Sequence, residues 1–185
     1  MDPAQEQVLV LKARSDPNAF GELYDAYYPQ IFGYILRRTA NVKIAEDITS
    51  EVFFAAIKNI SKFRWQGVPF SAWLYRIANN KTANYYTRGK NGHVNLDDFP
   101  ECDLVSTSSA EEELLNAEAE LDRHEQYLAL NENLRKLDIK YQEVIVLRYF
   151  EKKQITEIST ILGKSEGTVK SLLHRALRRL RESME

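Results

Sequence analysis

Apolar positions recur every three or four residues along most of the chain, and that spacing predicts helices. After Asp16-Pro17, the residues Phe20, Leu23, Tyr24, Tyr27, Ile31, Tyr34 and Ile35 form one apolar stripe. A second stripe follows Asn41 and carries Ile44, Ile48, Val52, Phe53, Ala56 and Ile57. The pattern lapses between Lys62 and Ser71, where Gly67 and Pro69 mark a loop. Ser71 is placed to cap a third helix, with Ala72, Trp73, Tyr75, Ile77, Ala78 and Tyr85, which Gly89, Asn91 and Gly92 bring to an end. No run alternates with the period of a strand, and no segment repeats.

Residues 93–113 lose the apolar period and are rich in acid, Ser and Thr, as a linker is; a polar helical stretch can follow from Ala110. Periodicity returns near His124 with Tyr127, Leu128, Leu130, Leu134 and Leu137, continues through Val144, Ile145 and Leu147, and resumes at Ile155, Ile158, Ile161 and Leu162. The expected fold is all-α: an N-terminal helical bundle and a C-terminal helix-turn-helix domain joined by an acidic flexible linker. The boundaries are drawn at 1–92, 93–125 and 126–185.

The end of the chain carries the most informative local pattern. One helix runs to Leu162, Gly163 supplies the left-handed position that ends it, and Ser165 can cap a second helix from Glu166. Such a turn is the signature of a helix-turn-helix unit. Val169, Leu173, Ala176, Leu177 and Leu180 make the expected buried stripe. That leaves Glu166, Lys170, Ser171, His174, Arg175 and Arg178 on the opposite side, where they can reach base edges and phosphates. A plain pair of helices with a basic outer face has the same local features.

Charge changes the picture only once it is divided. The 185 residues carry a formal net charge of −2, which argues against a uniformly basic nucleic-acid-coating protein. By segment, residues 1–95 carry +4, residues 96–133 carry −11, and residues 134–185 carry +5. No acidic residue stands between Glu51 and Asp97, a gap holding Lys58, Lys62, Arg64, Arg76, Lys81, Arg88 and Lys90 among aromatics. That is the footprint of a polyanion-facing surface, though a solvated helical face has the same look.

Candidate chemistry narrows the choice further. The single Cys102 excludes an internal disulfide, and with only His93, His124 and His174 there is no zinc spacing. There is also no phosphate loop and no HExxH. We therefore expect no enzyme, no metal and no cofactor. No apolar run approaches the roughly 20 residues of a membrane span, so a cytoplasmic protein is expected.

Three motifs resemble one family, the sigma factors of bacterial RNA polymerase, in its extracytoplasmic-function class. The tail run Ile158-Ser159-Thr160-Ile161-Leu162-Gly163-Lys164-Ser165 with Gly167-Thr168-Val169-Lys170-Ser171 is similar to the family's promoter-reading domain. Ala45-Glu46-Asp47-Ile48-Thr49-Ser50-Glu51-Val52-Phe53 resembles the polymerase-binding helix, and Phe70-Ser71-Ala72-Trp73-Leu74-Tyr75-Arg76-Ile77-Ala78-Asn79-Asn80 the promoter-melting segment.

The resemblance implies a division of labour. Glu46, Asp47, Ile48, Glu51, Val52 and Phe53 would bind core RNA polymerase. Arg64, Trp65, Gln66, Phe70, Arg76, Asn80, Lys81, Asn84 and Arg88 would read and melt the −10 element of promoter DNA. Ser165, Glu166, Thr168, Lys170, Ser171, His174, Arg175 and Arg178 would read the −35 element. An anti-sigma factor is the further partner implied. Two departures stand out: Asn84 where many relatives carry Asp, and Leu172 where many carry Arg. Trp73, Ile77 and Tyr85 are expected to be core, and Trp65 exposed. The linker reads as a tether, as a thread through the polymerase's basic interior, or as a cover for a basic DNA-binding face. An autonomous helix-turn-helix regulator would account for the tail alone.

Overall fold

The computed structural model describes residues 2–65, 68–89 and 130–184, and every regular element among them is helical. The expected linker, with Cys102, His93 and His124, lies outside the described residues, as do Gln66 and the side chain of Arg88.

Helix α1 (Pro3–Lys12) begins at Asp2, whose carboxylate accepts from the Ala4 amide at 3.2 Å. The much longer α2 (Pro17–Thr39) starts the same way, Asp16 accepting from the Asn18 amide at 2.9 Å with Pro17 in the first turn. It ends at Ala40 with φ 49°, a left-handed position more often held by glycine. Helix α3 (Val42–Asn59) is capped by Asn41, which accepts from the Ile44 amide at 2.9 Å. A 3₁₀ turn, Ile60–Lys62, closes it.

Helix α4 (Phe70–Gly89) begins one residue before the expected cap. Ser71 lies buried inside its first turn rather than preceding it. Helices α1 to α4 pack around Leu23, Ile31, Ile35, Val52, Ala56, Leu74 and Ala78, all with exposures at or near zero.

In the second domain, residues 130–136 form α5. Helix α6 (Ile139–Ile145) continues as a π-helical turn, Val146–Phe150. Helices α7 (Ile155–Leu162) and α8 (Glu166–Glu182) follow. Glu157 reaches back to accept from the Gln154 amide at 2.9 Å at the start of α7. Leu134, Val144, Leu147, Ile158, Ile161, Val169 and Ala176 fill the centre.

The two domains touch through polar groups. Arg38, fully buried, donates to the Tyr34 hydroxyl and to Asn79 Oδ1 at 2.8 Å each, and meets Glu143 of the second domain at 3.5 Å. Its carbonyl accepts from the Tyr86 hydroxyl. Nearby, Glu151 pairs with Arg37 at 3.3 Å and accepts from the Tyr75 hydroxyl at 2.5 Å. Arg37 also lies over the Phe150 ring, and Lys153 over the Tyr75 ring. Burying ionised groups is costly unless each finds a partner, and here the cations and carboxylates come from opposite domains. Burial pushes the Tyr34 hydroxyl up to about 12 and raises Tyr75 as well, the latter helped by the Glu151 charge. Both phenols therefore stay protonated as donors.

Candidate nucleic-acid interface

The second helix of the tail motif begins as the sequence reading expects. Gly163 takes φ 62°, where a side-chain-bearing residue would be strained, and turns the chain between α7 and α8. Ser165 then caps α8, its Oγ accepting from the Thr168 amide at 3.2 Å. The Ser165 and Thr168 hydroxyls lie 2.8 Å apart, so both side chains hold the helix start and each keeps only part of its bonding capacity for a ligand.

The buried stripe of α8 is Val169, Leu172, Leu173, Ala176 and Leu180. Leu177, expected inside, is 41% exposed, whereas Leu172 is 6% exposed. The helix is rotated slightly from the expected setting: Leu172 and Leu177 lie on opposite edges of the stripe, and the edge with Leu172 is turned inward. Leu172 packs into the hairpin, which accounts for a leucine there without a role against DNA.

What remains outward is Glu166, Lys170, Ser171, His174, Arg175 and Arg178, all exposed. The Arg175 Nε donates to the Ser171 carbonyl at 3.2 Å, and Arg178 lies 3.7 Å from Glu182. These exposed pairs are weak enough to exchange for phosphates. Arg179 instead turns sideways to Asp138 at 3.3 Å and over the Tyr141 ring, tying α8 to α6.

In the first domain, Arg76, Asn80 and Asn84 line the exposed side of α4. They are four residues apart, so they stack along one face. Lys81, beside them, is bound to Glu51 of α3 at 2.7 Å. The basic face of α4 and the acidic rim of α3 thus meet at a surface ion pair.

The loop before α4 is partly built into the core. Phe70 is 0% exposed, its ring against Tyr27, Phe63 and Trp73, so it cannot frame a base as expected. Burying a phenylalanine of this size outweighs leaving it for an occasional ligand. Trp65 is half-buried rather than exposed, edge-on to Phe63 at 6.4 Å, while Arg64 is exposed. Trp73 and Ile77, expected as core, pack on it but also line an open pocket of about 320 Å³ with Ala55, Asn59, Lys62 and Phe63.

The acidic helix α3 divides sharply by face. Ile48, Val52 and Phe53 lie inside at 6%, 0% and 4% exposure, so these three expected contact residues are core. Glu46, Asp47, Ser50 and Glu51 face outward. Phe54 and Ile57 join them at 60% and 43% exposure, Ile57 against expectation. Lys58 sits 4.3 Å over the Phe54 ring. The outward face is therefore acidic at one end and apolar at the other.

Comparison with known proteins decides among the readings. Residues 23–91 match Sigma-70 region 2, and residues 127–180 match Sigma-70, region 4. The chain is 32% identical over 172 residues to the ECF RNA polymerase sigma factor SigW of Bacillus subtilis, covering 92% of this chain and 91% of that one. This chain belongs to the sigma-70 family. Its class is the extracytoplasmic-function one. It is also 31% identical over 170 residues to the RNA polymerase sigma factor YlaC of Bacillus subtilis, covering 88% of this chain and 90% of that one. A third relative, the ECF RNA polymerase sigma factor BldN of Streptomyces coelicolor, is 34% identical over 187 residues. That match takes in 97% of this chain but 66% of the relative's length. Among solved structures, CnrH in complex with the cytosolic domain of CnrY shares the fold at TM-score 0.68 and 24% identity, covering 97% of this chain and 96% of that one. The sigma factor RpoE in complex with the anti-sigma factor NepR, from Bartonella quintana, does so at 0.65 and 19%, covering 89% and 96%.

Within this sigma factor, Phe54 and Ile57 are the residues that sequence reasoning missed. The signal was present for Phe54: at about 100° per residue it falls on the side of α3 opposite the stripe of Ile48, Val52 and Ala56. No helix among the described residues is long and apolar enough to cross a membrane.

Proposed function

We propose that this sigma factor binds core RNA polymerase through the outward face of α3 and directs promoter-specific initiation by reading the −35 element with α8 and the −10 element with α4 and the loop before it. The observation that carries this reading is the division of α8 into a fully buried apolar stripe and an outward face of Lys170, Ser171, His174, Arg175 and Arg178. Donors of that kind along one helix suit both a major groove and its flanking phosphates. Glu46, Asp47, Glu51, Phe54 and Ile57 supply an acidic and apolar docking face of the type protein partners use. Arg64, Trp65, Arg76, Asn80 and Asn84 supply cations, amides and an aromatic edge, as capture of an unstacked base requires.

The chain works in the cytoplasm and carries no catalysis of its own; bond formation belongs to the polymerase. The CnrH structure was solved with the cytosolic domain of CnrY and the Bartonella one with the anti-sigma factor NepR, and an anti-sigma factor is the corresponding partner here. Runoff transcription with core polymerase and a promoter library, with and without this protein, tests the reading. Starts that appear only with the protein, and vanish when either element is scrambled, are expected. Tight duplex binding without polymerase and no promoter-specific start would favour an autonomous regulator instead.

A further inference from the structure

The loop from Phe63 to Phe70 is fastened at both ends by residues from the start of the chain. Arg14, just after α1, donates from Nη2 to the Phe63 carbonyl at 2.8 Å. Glu6, within α1 and only 4% exposed, accepts from the Phe70 amide at 3.1 Å. The same Glu6 oxygen accepts from the Tyr27 hydroxyl, which fixes the carboxylate from the α2 side.

The second of these bonds fills a specific gap. The first amides of a helix have no partner inside it, and a side chain just before the helix usually accepts from one of them. Here Pro69 precedes α4 and has no side-chain oxygen, while Ser71 is already inside the helix. A carboxylate 64 residues away takes the role, and its negative charge suits the positive end of the helix. Arg14 does the matching work at the other end, where it makes the shorter of two bonds to the Phe63 carbonyl, the second coming from Arg64 Nη1 at 3.2 Å.

We infer that Glu6 and Arg14 are positioning residues for promoter opening: they clamp the two ends of the loop that carries Arg64 and Trp65, and so hold Trp65 where an unstacking base can meet it. This rests on the reading of that loop as the melting element. Neither residue need touch DNA. Ends fixed in advance lower the ordering cost at the moment of melting.

The test compares duplex promoter with the same promoter carrying a pre-opened −10 bubble, using the full chain with core polymerase. Arg14→Met removes the donor at an exposed position, and Arg14→Lys restores one. Glu6→Leu removes the buried acceptor, with circular dichroism to confirm folding; if that variant does not fold, Arg14→Met decides alone. Loss of one charge-assisted bond predicts a fall of about tenfold in duplex transcription. On the bubble the fall should be below about twofold, core affinity should be unchanged, and Arg14→Lys should recover most of the duplex activity. Equal losses on both templates, or no loss on either, would overturn the clamp. Trp65→Ala runs alongside. If it shows the duplex-only defect and Arg14→Met does not, the clamp fails while the melting role stands. If Trp65→Ala shows no duplex defect, the melting role of the loop fails, and the clamp's role in opening with it.

Discussion

Tyr75 donates its hydroxyl to Glu151 at 2.5 Å, a bond that ties α4 of the first domain to the end of the π-helical turn in the second. Glu151 also pairs with Arg37 on α2 at 3.3 Å, and its side chain is only 10% exposed. One carboxylate therefore joins two helices of one domain to the other. Removing its charge leaves Arg37 partly buried without its counter-ion. Glu151→Gln is expected to lower stability of the full chain by about 1–3 kcal/mol, the range for a hydrogen bond to a charged group. A double-mutant cycle with Arg37→Met, read by chemical denaturation, isolates the pair; a coupling of about 0.5 kcal/mol or more is expected. A coupling of zero would mean that the domains do not hold each other through this carboxylate.

The neighbouring contact predicts a pH dependence. Burial raises the pKa of Glu143 above its ordinary 4.5, and the opposing pull of the Arg38 charge, of Asn79 and of Lys164 does not cancel it. A carboxyl with a raised pKa binds its proton more tightly in the folded, domain-closed state than in the unfolded chain. Its contribution to stability is therefore most favourable below the ordinary value and declines as pH climbs from there through the raised one. As pH climbs from 4.5 through the raised value, the wild-type melting temperature should fall relative to that of Glu143→Gln, which cannot titrate. The difference between the two proteins cancels the many other carboxylates. A flat difference across that window would remove Glu143 as a titrating contact.

Adjacent phenylalanines on α3 should behave in opposite ways. Phe53 is 4% exposed and packs against Tyr24 at 4.7 Å, so Phe53→Ala should cost about 3–5 kcal/mol of stability. Phe54 is 60% exposed, and Phe54→Ala should leave stability within about 0.5 kcal/mol. On the proposed docking face the ranking reverses. Phe54→Ala, and Asp47→Arg more strongly, should weaken binding to core polymerase in a pull-down while circular dichroism stays native. Unchanged core affinity for both would move the polymerase contact elsewhere.

Much of this arrangement was legible in the sequence because it is local. Asp16, Asn41 and Ser165 stand just before helices and cap them, and Gly163 takes the positive φ that a helix-ending glycine foretells. Apolar spacing placed the cores, but it could not separate neighbours at the edge of a stripe, so Ile57 and Leu177 proved exposed and Leu172 buried. Ser71 looked like a cap because nothing local shows that Glu6 performs that role from across the domain. The contact between domains was hidden for a similar reason. Arg38 and Glu143 are ordinary surface residue types 105 positions apart, and only the folded chain reveals that each is the other's counter-charge.

Leu172 offers the sharpest test of α8, because sequence likeness and structure predict different results. The family resemblance implies Arg at that place, so Leu172→Arg looks like the restoration of a DNA contact. The side chain is 6% exposed inside the hairpin, however, and a guanidinium there would be buried without a partner. We expect Leu172→Arg to destabilise the second domain by about 2–4 kcal/mol and to reduce −35-dependent transcription. Lys170→Ala and Arg175→Ala, both on the exposed face, should leave stability within about 0.5 kcal/mol. If each contacts a phosphate, each should weaken promoter binding and lower the slope of log affinity against log salt by about 1. Thermal unfolding together with a salt titration of promoter binding separates the cases. A stable Leu172→Arg protein with strengthened −35 binding would show that position 172 faces the DNA after all.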